Sequence, residues 1–90
     1  MTLRVIQRDR RCILAGHPDA GPCFGPLTPH HLRKQSQGGA WTMGNMVTLC
    51  AAMNSWVEDQ PRKAHELGLV IRHGETEEEA WEKMRSAGLV

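Results

Sequence analysis

Pro26-Leu27-Thr28-Pro29-His30-His31-Leu32 and Asn45-Met46-Val47-Thr48-Leu49-Cys50-Ala51-Ala52-Met53-Asn54 are the two runs whose reading decides the fold. The first is short and extended, and its two prolines deny it a central place in a wide sheet. Within the second, Met46 to Leu49 reads as a strand. From Cys50 the pattern turns helical, because Ala51, Ala52, Met53, Trp56 and Val57 keep an apolar side through Asp59. Between the two runs, Gln35 to Thr42 is polar and contains Gly38-Gly39, which predicts a loop or turn. The order is strand, loop, strand, helix.

Outward from this centre the chain is simpler. Residues 2–10 predict a short helix with Leu3, Val5 and Ile6 on one side, leading into Cys12-Ile13-Leu14-Ala15. Gly16 to Gly25 holds three glycines and two prolines and reads as a loop. On the other side, Pro61 fits the first turn of a helix that Gly68 ends. Leu69-Val70-Ile71-Arg72 predicts a third small strand. Thr76 with Glu79 reads as a capping box, opening a helix to about Ser86 with acids at its start and Lys83 and Arg85 at its end. Trp41, Trp56 and Trp81 are read as core or rim packing, and His65 and His73 as surface residues. There is no internal repeat. The fold class is α+β.

The composition sets bounds on all of this. Ninety residues support one domain, which buries roughly 60–70% of its unfolded surface. So small a core often needs a metal or another staple. At 23% charged and 40% hydrophobic the chain is neither disordered nor fibrous. No apolar run approaches the ~18–20 residues of a membrane span, and Met1-Thr2-Leu3-Arg4 lacks the apolar stretch of a signal peptide, so a cytoplasmic protein is expected. Three cysteines cannot all pair with one another, which favours thiolate ligands or buried thiols over disulfides. The net charge of +1 conceals a split: residues 1–34 carry +4 and residues 35–90 carry −3. A basic first third on a near-neutral chain suggests a localised face for a polyanion.

The chemistry concentrates in His30, His31, Asn45, Asn54 and Glu58. Adjacent histidines on an extended segment point to opposite faces, so one can hold a metal while the other meets a substrate or a water. Asn54 and Glu58 stand four apart on the predicted helix and share a face. An imidazole, an amide oxygen and a carboxylate form a mixed N/O set that suits Mg²⁺ or Mn²⁺ at least as well as Zn²⁺.

Taken together, His30-His31-Leu32, Gly38-Gly39, Asn45-Met46-Val47-Thr48-Leu49-Cys50 and Asn54 resemble the HNH (ββα-metal) endonucleases, most of all the small phage and prophage type. The resemblance covers roughly residues 8–72. It implies a single domain over 1–90 with a ββα-metal core at 8–72, a loop-rich N-terminal part and a C-terminal helical extension at 73–90. It assigns His30 to the first metal ligand, His31 to the general base, and Asn45 to the residue that pins the loop between the strands. Asn54 falls at a metal ligand on the helix, and Glu58 where some members have a histidine ligand. The implied reaction is one-metal hydrolysis of a DNA phosphodiester. An ordinary imidazole titrates near ~6.5 and so suits proton abstraction from water at neutral pH.

The cysteines match the family only in part. Many members carry two Cys-x-x-Cys knuckles around a structural zinc, whereas here Cys12-Ile13-Leu14-Ala15 and Cys50-Ala51-Ala52-Met53 each keep only the first cysteine. Cys12, His17, Cys23 and Cys50 would restore four ligands; the other reading is that the zinc is lost and the thiols are small buried hydrophobes. Arg33 and Lys34, directly after the histidine pair, and Arg8, Arg10 and Arg11 are candidate phosphate contacts. The expected partner is DNA, with a place beside the phage terminase in genome packaging implied by the resemblance. A catalytically weak or inactive module that binds DNA or a packaging protein is the alternative, because Asn54 and Glu58 depart from histidine.

Overall fold

Pro29 stands in the middle of a strand, and its partner explains why it is tolerated. In the computed structural model, which describes residues 2–90, β1 (Leu27–His31) and β2 (Met46–Cys50) pair antiparallel, with Pro29 opposite Thr48 and His31 opposite Met46. Thr48 turns both backbone groups away from β1. Its N–H donates to Asp9 Oδ2 at 2.8 Å, and its carbonyl accepts from the Ile13 N–H at 3.0 Å. Pro29 and Thr48 therefore form a non-hydrogen-bonded pair, and the hairpin loses no bond to the proline.

The same geometry leaves the outer edge of β1 without an N–H at position 29. The expected third strand at residues 69–72 does not form; this segment is irregular, and the sheet has two strands. It meets the hairpin through one backbone bond, from the Ile71 N–H to the Leu32 carbonyl at 2.8 Å.

All five residues of β2 are buried, so the strand is covered on both faces. Helix α1 (Thr2–Asp9) packs against both strands. Its contact with β2 centres on Val5, which is buried and whose carbonyl accepts from the Thr48 hydroxyl. Leu3, expected on the same side, is 70% exposed; two residues correspond to about 200° of helical rotation, which turns it to the far face. Helix α2 (Ala51–Asp59) leaves β2 with no intervening loop, because Cys50 ends the strand and caps the helix, its Sγ accepting from the Met53 N–H. It too packs on both strands, burying Met53 and Val57. Strand, loop, strand, helix is thus the observed order, and the result is a small α+β domain with four helices among the described residues.

Helix α3 (Pro61–Glu66) opens on its proline, and α4 (Glu77–Ser86) closes the core with Ala80 and Met84 against Leu69 and Ile71. Thr76 caps α4 by accepting from the Glu79 N–H at 3.1 Å, while its hydroxyl donates to Glu79 Oε1. Trp81 is a rim residue that fastens α4 to the rest of the domain: Nε1 donates to the Gly44 carbonyl at 2.7 Å, and the Arg8 guanidinium lies 5.2 Å from its ring centre.

His65 is not the free surface residue expected from the sequence. It is half-buried against Glu75, with Nε2 at 2.8 Å from the carboxylate, and Lys83 Nζ approaches the same group at 3.6 Å. The Arg72 N–H, the His65 ring and the charge of Lys83 hold the Glu75 carboxyl down to about 2, from an ordinary 4.5. A carboxylate with a depressed folded-state value contributes stability that is fully present above its unfolded value and is lost as pH falls through its folded one. Melting temperature should therefore fall between pH 4.5 and pH 2, and Glu75→Gln should flatten that part of the profile. A Glu75→Gln profile that parallels the wild type across this window would show that the cluster contributes nothing.

Candidate functional site

His30 and Asn54 face each other across the junction of β1 and α2, and their hydrogen bonds fix what each atom must be. The Thr28 hydroxyl donates to the Leu49 carbonyl at 3.0 Å, so it accepts from Asn54 Nδ2 at 2.8 Å. That aims Asn54 Oδ1 at His30 Nδ1, 3.3 Å away. On the other side of the ring, His30 Nε2 lies 2.7 Å from the Leu69 carbonyl, which can only accept, so Nε2 carries the hydrogen. In the neutral ring Nδ1 then presents a lone pair to the lone pairs of Oδ1.

Two acceptors pointed at each other need a cation or a proton between them. Burial disfavours the proton: desolvation, partly offset by the Leu69 and Asn54 contacts, sets the His30 pKa below its ordinary 6.5. The donor set fits a divalent ion, since ligand bonds of about 2.0–2.1 Å place neighbouring donors about 3.0–3.4 Å apart. A backbone carbonyl such as that of Leu69 is the kind of partner that fixes the tautomer and orientation of an imidazole. Glu58 is exposed one turn beyond Asn54 and lines a recess of about 110 Å³ with His30, His31 and Lys34. The structure brings Glu58 to the histidine pair but not into the His30–Asn54 contact.

Asn45 is fully buried, and every polar atom of its side chain is used. Oδ1 accepts from the Arg33 N–H at 2.9 Å, while Nδ2 donates to the carbonyls of Arg33 at 3.1 Å and Ala40 at 2.9 Å. The side chain therefore ties both ends of the 33–40 loop to the start of β2. The Leu32 N–H adds a bond to the Asn45 carbonyl at 2.8 Å.

His31 lies on the opposite face of β1 from His30. Its ring meets Trp41 edge to face, with centroids 4.5 Å apart and planes at 82°. Its Nε2 is the one buried side-chain nitrogen or oxygen among the described residues that lacks a hydrogen-bond partner. A buried polar atom without a partner is costly and in a folded protein calls for an explanation. With Nε2 sealed, Nδ1 is the ring nitrogen left to meet a water.

The basic residues divide into two groups. Arg8 is a structural clamp, donating to the carbonyls of Met43 at 2.6 Å and Met46 at 2.7 Å and pairing with Asp9. Arg11 donates to the Cys12 carbonyl, and Arg33 Nη2 to the Glu75 carbonyl. Arg10, in the left-handed region at φ 65° just beyond α1, and Lys34 are exposed and make no side-chain bond among the described residues.

The thiols of Cys12, Cys23 and Cys50 converge, all within 4.8 Å of one another, and can hold a metal ion. Cys23 Sγ and Cys50 Sγ are 2.8 Å apart. The hydrogen bond to Cys50 and burial push the Cys23 thiol up to about 12. Burial also acts to raise Cys50, but the hydrogen bonds from Cys23, the Met53 amide and the Phe24 amide outweigh it and set Cys50 below its ordinary value. Cys50, at the N-terminus of α2, therefore ionises more readily than Cys23. His17 is not in this group; its Nδ1 accepts from the Asp19 N–H at 3.2 Å.

Nothing in the sequence points to Thr28, Asp9 or the Leu69 carbonyl at the site, and Trp41 reads there as packing without its contact to His31. None belongs to a motif, and each acts through a contact that only the folded chain creates. The chain matches no protein-family model, no curated protein and no solved structure.

Proposed function

We propose that this chain is a metal-dependent DNA endonuclease of the HNH type. The single observation that carries the reading is the pair of opposed acceptors, His30 Nδ1 and Asn54 Oδ1 at 3.3 Å; the next residue along the strand, His31, keeps a buried Nε2 with no hydrogen-bond partner. His30 and Asn54 would hold one divalent ion, Mg²⁺, Mn²⁺ or Zn²⁺, with Glu58 completing the set from the recess it shares with the histidines. When bound, the ion supplies positive charge to the phosphate oxygens and the leaving 3′-oxygen.

The chain's own residues do the rest. His31 takes a proton from the attacking water at Nδ1. Asn45 fixes the 33–40 loop that precedes Trp41, and so holds the His31 ring in position. Lys34, exposed at the mouth of the same recess, draws in the phosphate. The test is plasmid nicking with and without divalent metal, compared between the wild type and His31→Ala.

The cysteine trio takes a structural zinc on this reading, with Cys12, Cys23 and Cys50 as its three protein ligands. It would staple the loop carrying Cys23 to the junction of β2 and α2, which is the support a 90-residue core needs. Metal analysis of protein purified without chelator should give about one zinc per chain, falling sharply in Cys23→Ser. Zinc-free wild-type protein with an unchanged melting temperature would make the trio plain buried thiols.

A further inference from the structure

Arg33, Gln37 and His73 line a second recess of about 260 Å³, and no carboxylate lines it with them. All three side chains carry hydrogen-bond donors, and a guanidinium offers five of them in a planar fork that matches phosphate oxygens. Arg33 is held in place before any ligand arrives: Asn45 bonds both its N–H and its carbonyl, and its Nη2 donates to the Glu75 carbonyl at 2.7 Å. One of its five guanidinium N–H groups is used there, and the Glu75 carboxylate is turned away to His65 and the Arg72 amide.

The backbone around the recess is equally constrained. Gln37 ends a short 3₁₀ turn, Gln35–Gln37, that closes into Gly38 at φ 81°. Gly39 lies so close to the Arg33 carbonyl that a Cβ there would collide with it. Consecutive residues open on two different recesses: Lys34 on the one holding His30 and His31, Arg33 on this one.

We propose that the Arg33–Gln37–His73 recess is a phosphate subsite, receiving a nucleic-acid phosphate that flanks the one at His31. A preorganised guanidinium, an amide and an imidazole make the donor set a tetrahedral oxyanion needs. The identification of nucleic acid as the source rests on the nuclease reading; the anion pocket itself does not.

Two charge-matched variants test it, made in His31→Ala protein so that cleavage plays no part. Gln37→Glu puts a carboxylate into the recess, whereas Gln35→Glu adds the same charge to the same turn outside it. Duplex affinity, read by anisotropy of a labelled oligonucleotide, should weaken about five- to tenfold in Gln37→Glu, with the salt slope smaller by about one, and by less than about twofold in Gln35→Glu. Inorganic phosphate should shift the NMR signals of the Arg33 and His73 side chains in the parent but not in Gln37→Glu.

Equal duplex affinity in the two variants, with the phosphate shifts intact, overturns the nucleic-acid assignment in favour of free phosphate. Equal affinity with no phosphate shift overturns the subsite altogether. A Gln37→Glu effect in a chain whose wild type never nicks plasmid supports the subsite and sinks the nuclease reading instead.

Discussion

His31→Ala should slow plasmid nicking by about 10²- to 10⁴-fold, the usual contribution of a positioned general base, while DNA affinity and melting temperature stay close to wild type. Stability should hold because two effects oppose each other. The substitution removes the edge-to-face contact with Trp41, worth about 0.5–1.5 kcal/mol. It also removes the buried Nε2 that has no partner, whose burial costs about 1–3 kcal/mol. Nicking assays in Mg²⁺ and Mn²⁺, duplex binding and a thermal melt separate these outcomes. A contaminant-free His31→Ala protein that nicks at the wild-type rate removes His31 from the mechanism.

Asn45→Ala should be the most destabilising single change in the loop. It deletes three hydrogen bonds at once and strands the Arg33 N–H and the carbonyls of Arg33 and Ala40 beside a buried cavity. About 2–4 kcal/mol is expected, or roughly 10–25 °C in melting temperature for a domain of this size. Asn45→Asp should do no better. It keeps an acceptor for the Arg33 N–H but turns a second oxygen on two carbonyls that need a donor. Nicking should fall as well, even well below the melting temperature, because the loop that precedes Trp41 and presents Arg33 is no longer tied to β2. An Asn45→Ala protein that melts within a few degrees of wild type would show that the loop is held by other means.

Much of this was legible in the sequence because it depends on local rules. The β2–α2 junction follows from a β-branched run passing into helical periodicity at Cys50, and the α4 boundaries follow from Thr76, Glu79 and the charge order along the helix. Placing Asn54 near His30 follows from one helix packed on one hairpin. The run at 69–72 is hydrophobic enough for a strand, yet it stays irregular, and the edge of β1 that it would join carries Pro29, which offers no N–H there. Leu3 was misplaced because three apolar residues on an eight-residue helix do not say which of them faces the sheet.

The roles of Arg8 and His65 were hidden for a different reason. A clamp on two carbonyls or a partner for Glu75 is a long-range contact, and an isolated basic residue carries no sign of it. The cysteine cluster shows the same limit. Making up four ligands brings in His17, but the three thiols converge without it, and the imidazole is bonded within its own turn.

On the proposed function, His30 and Asn54 hold a divalent ion that the phosphodiester chemistry requires. Supercoiled plasmid incubated with wild-type protein, in chelator and then with Mg²⁺, Mn²⁺ or Zn²⁺ restored, tests it most directly. Relaxed circles should be absent in chelator, appear with at least one of the ions, and fail to appear with His30→Ala under every condition. Nicking that persists in chelator, or a His30→Ala protein as active as the wild type, would rule out an ion at His30 and Asn54 as the source of the cleavage.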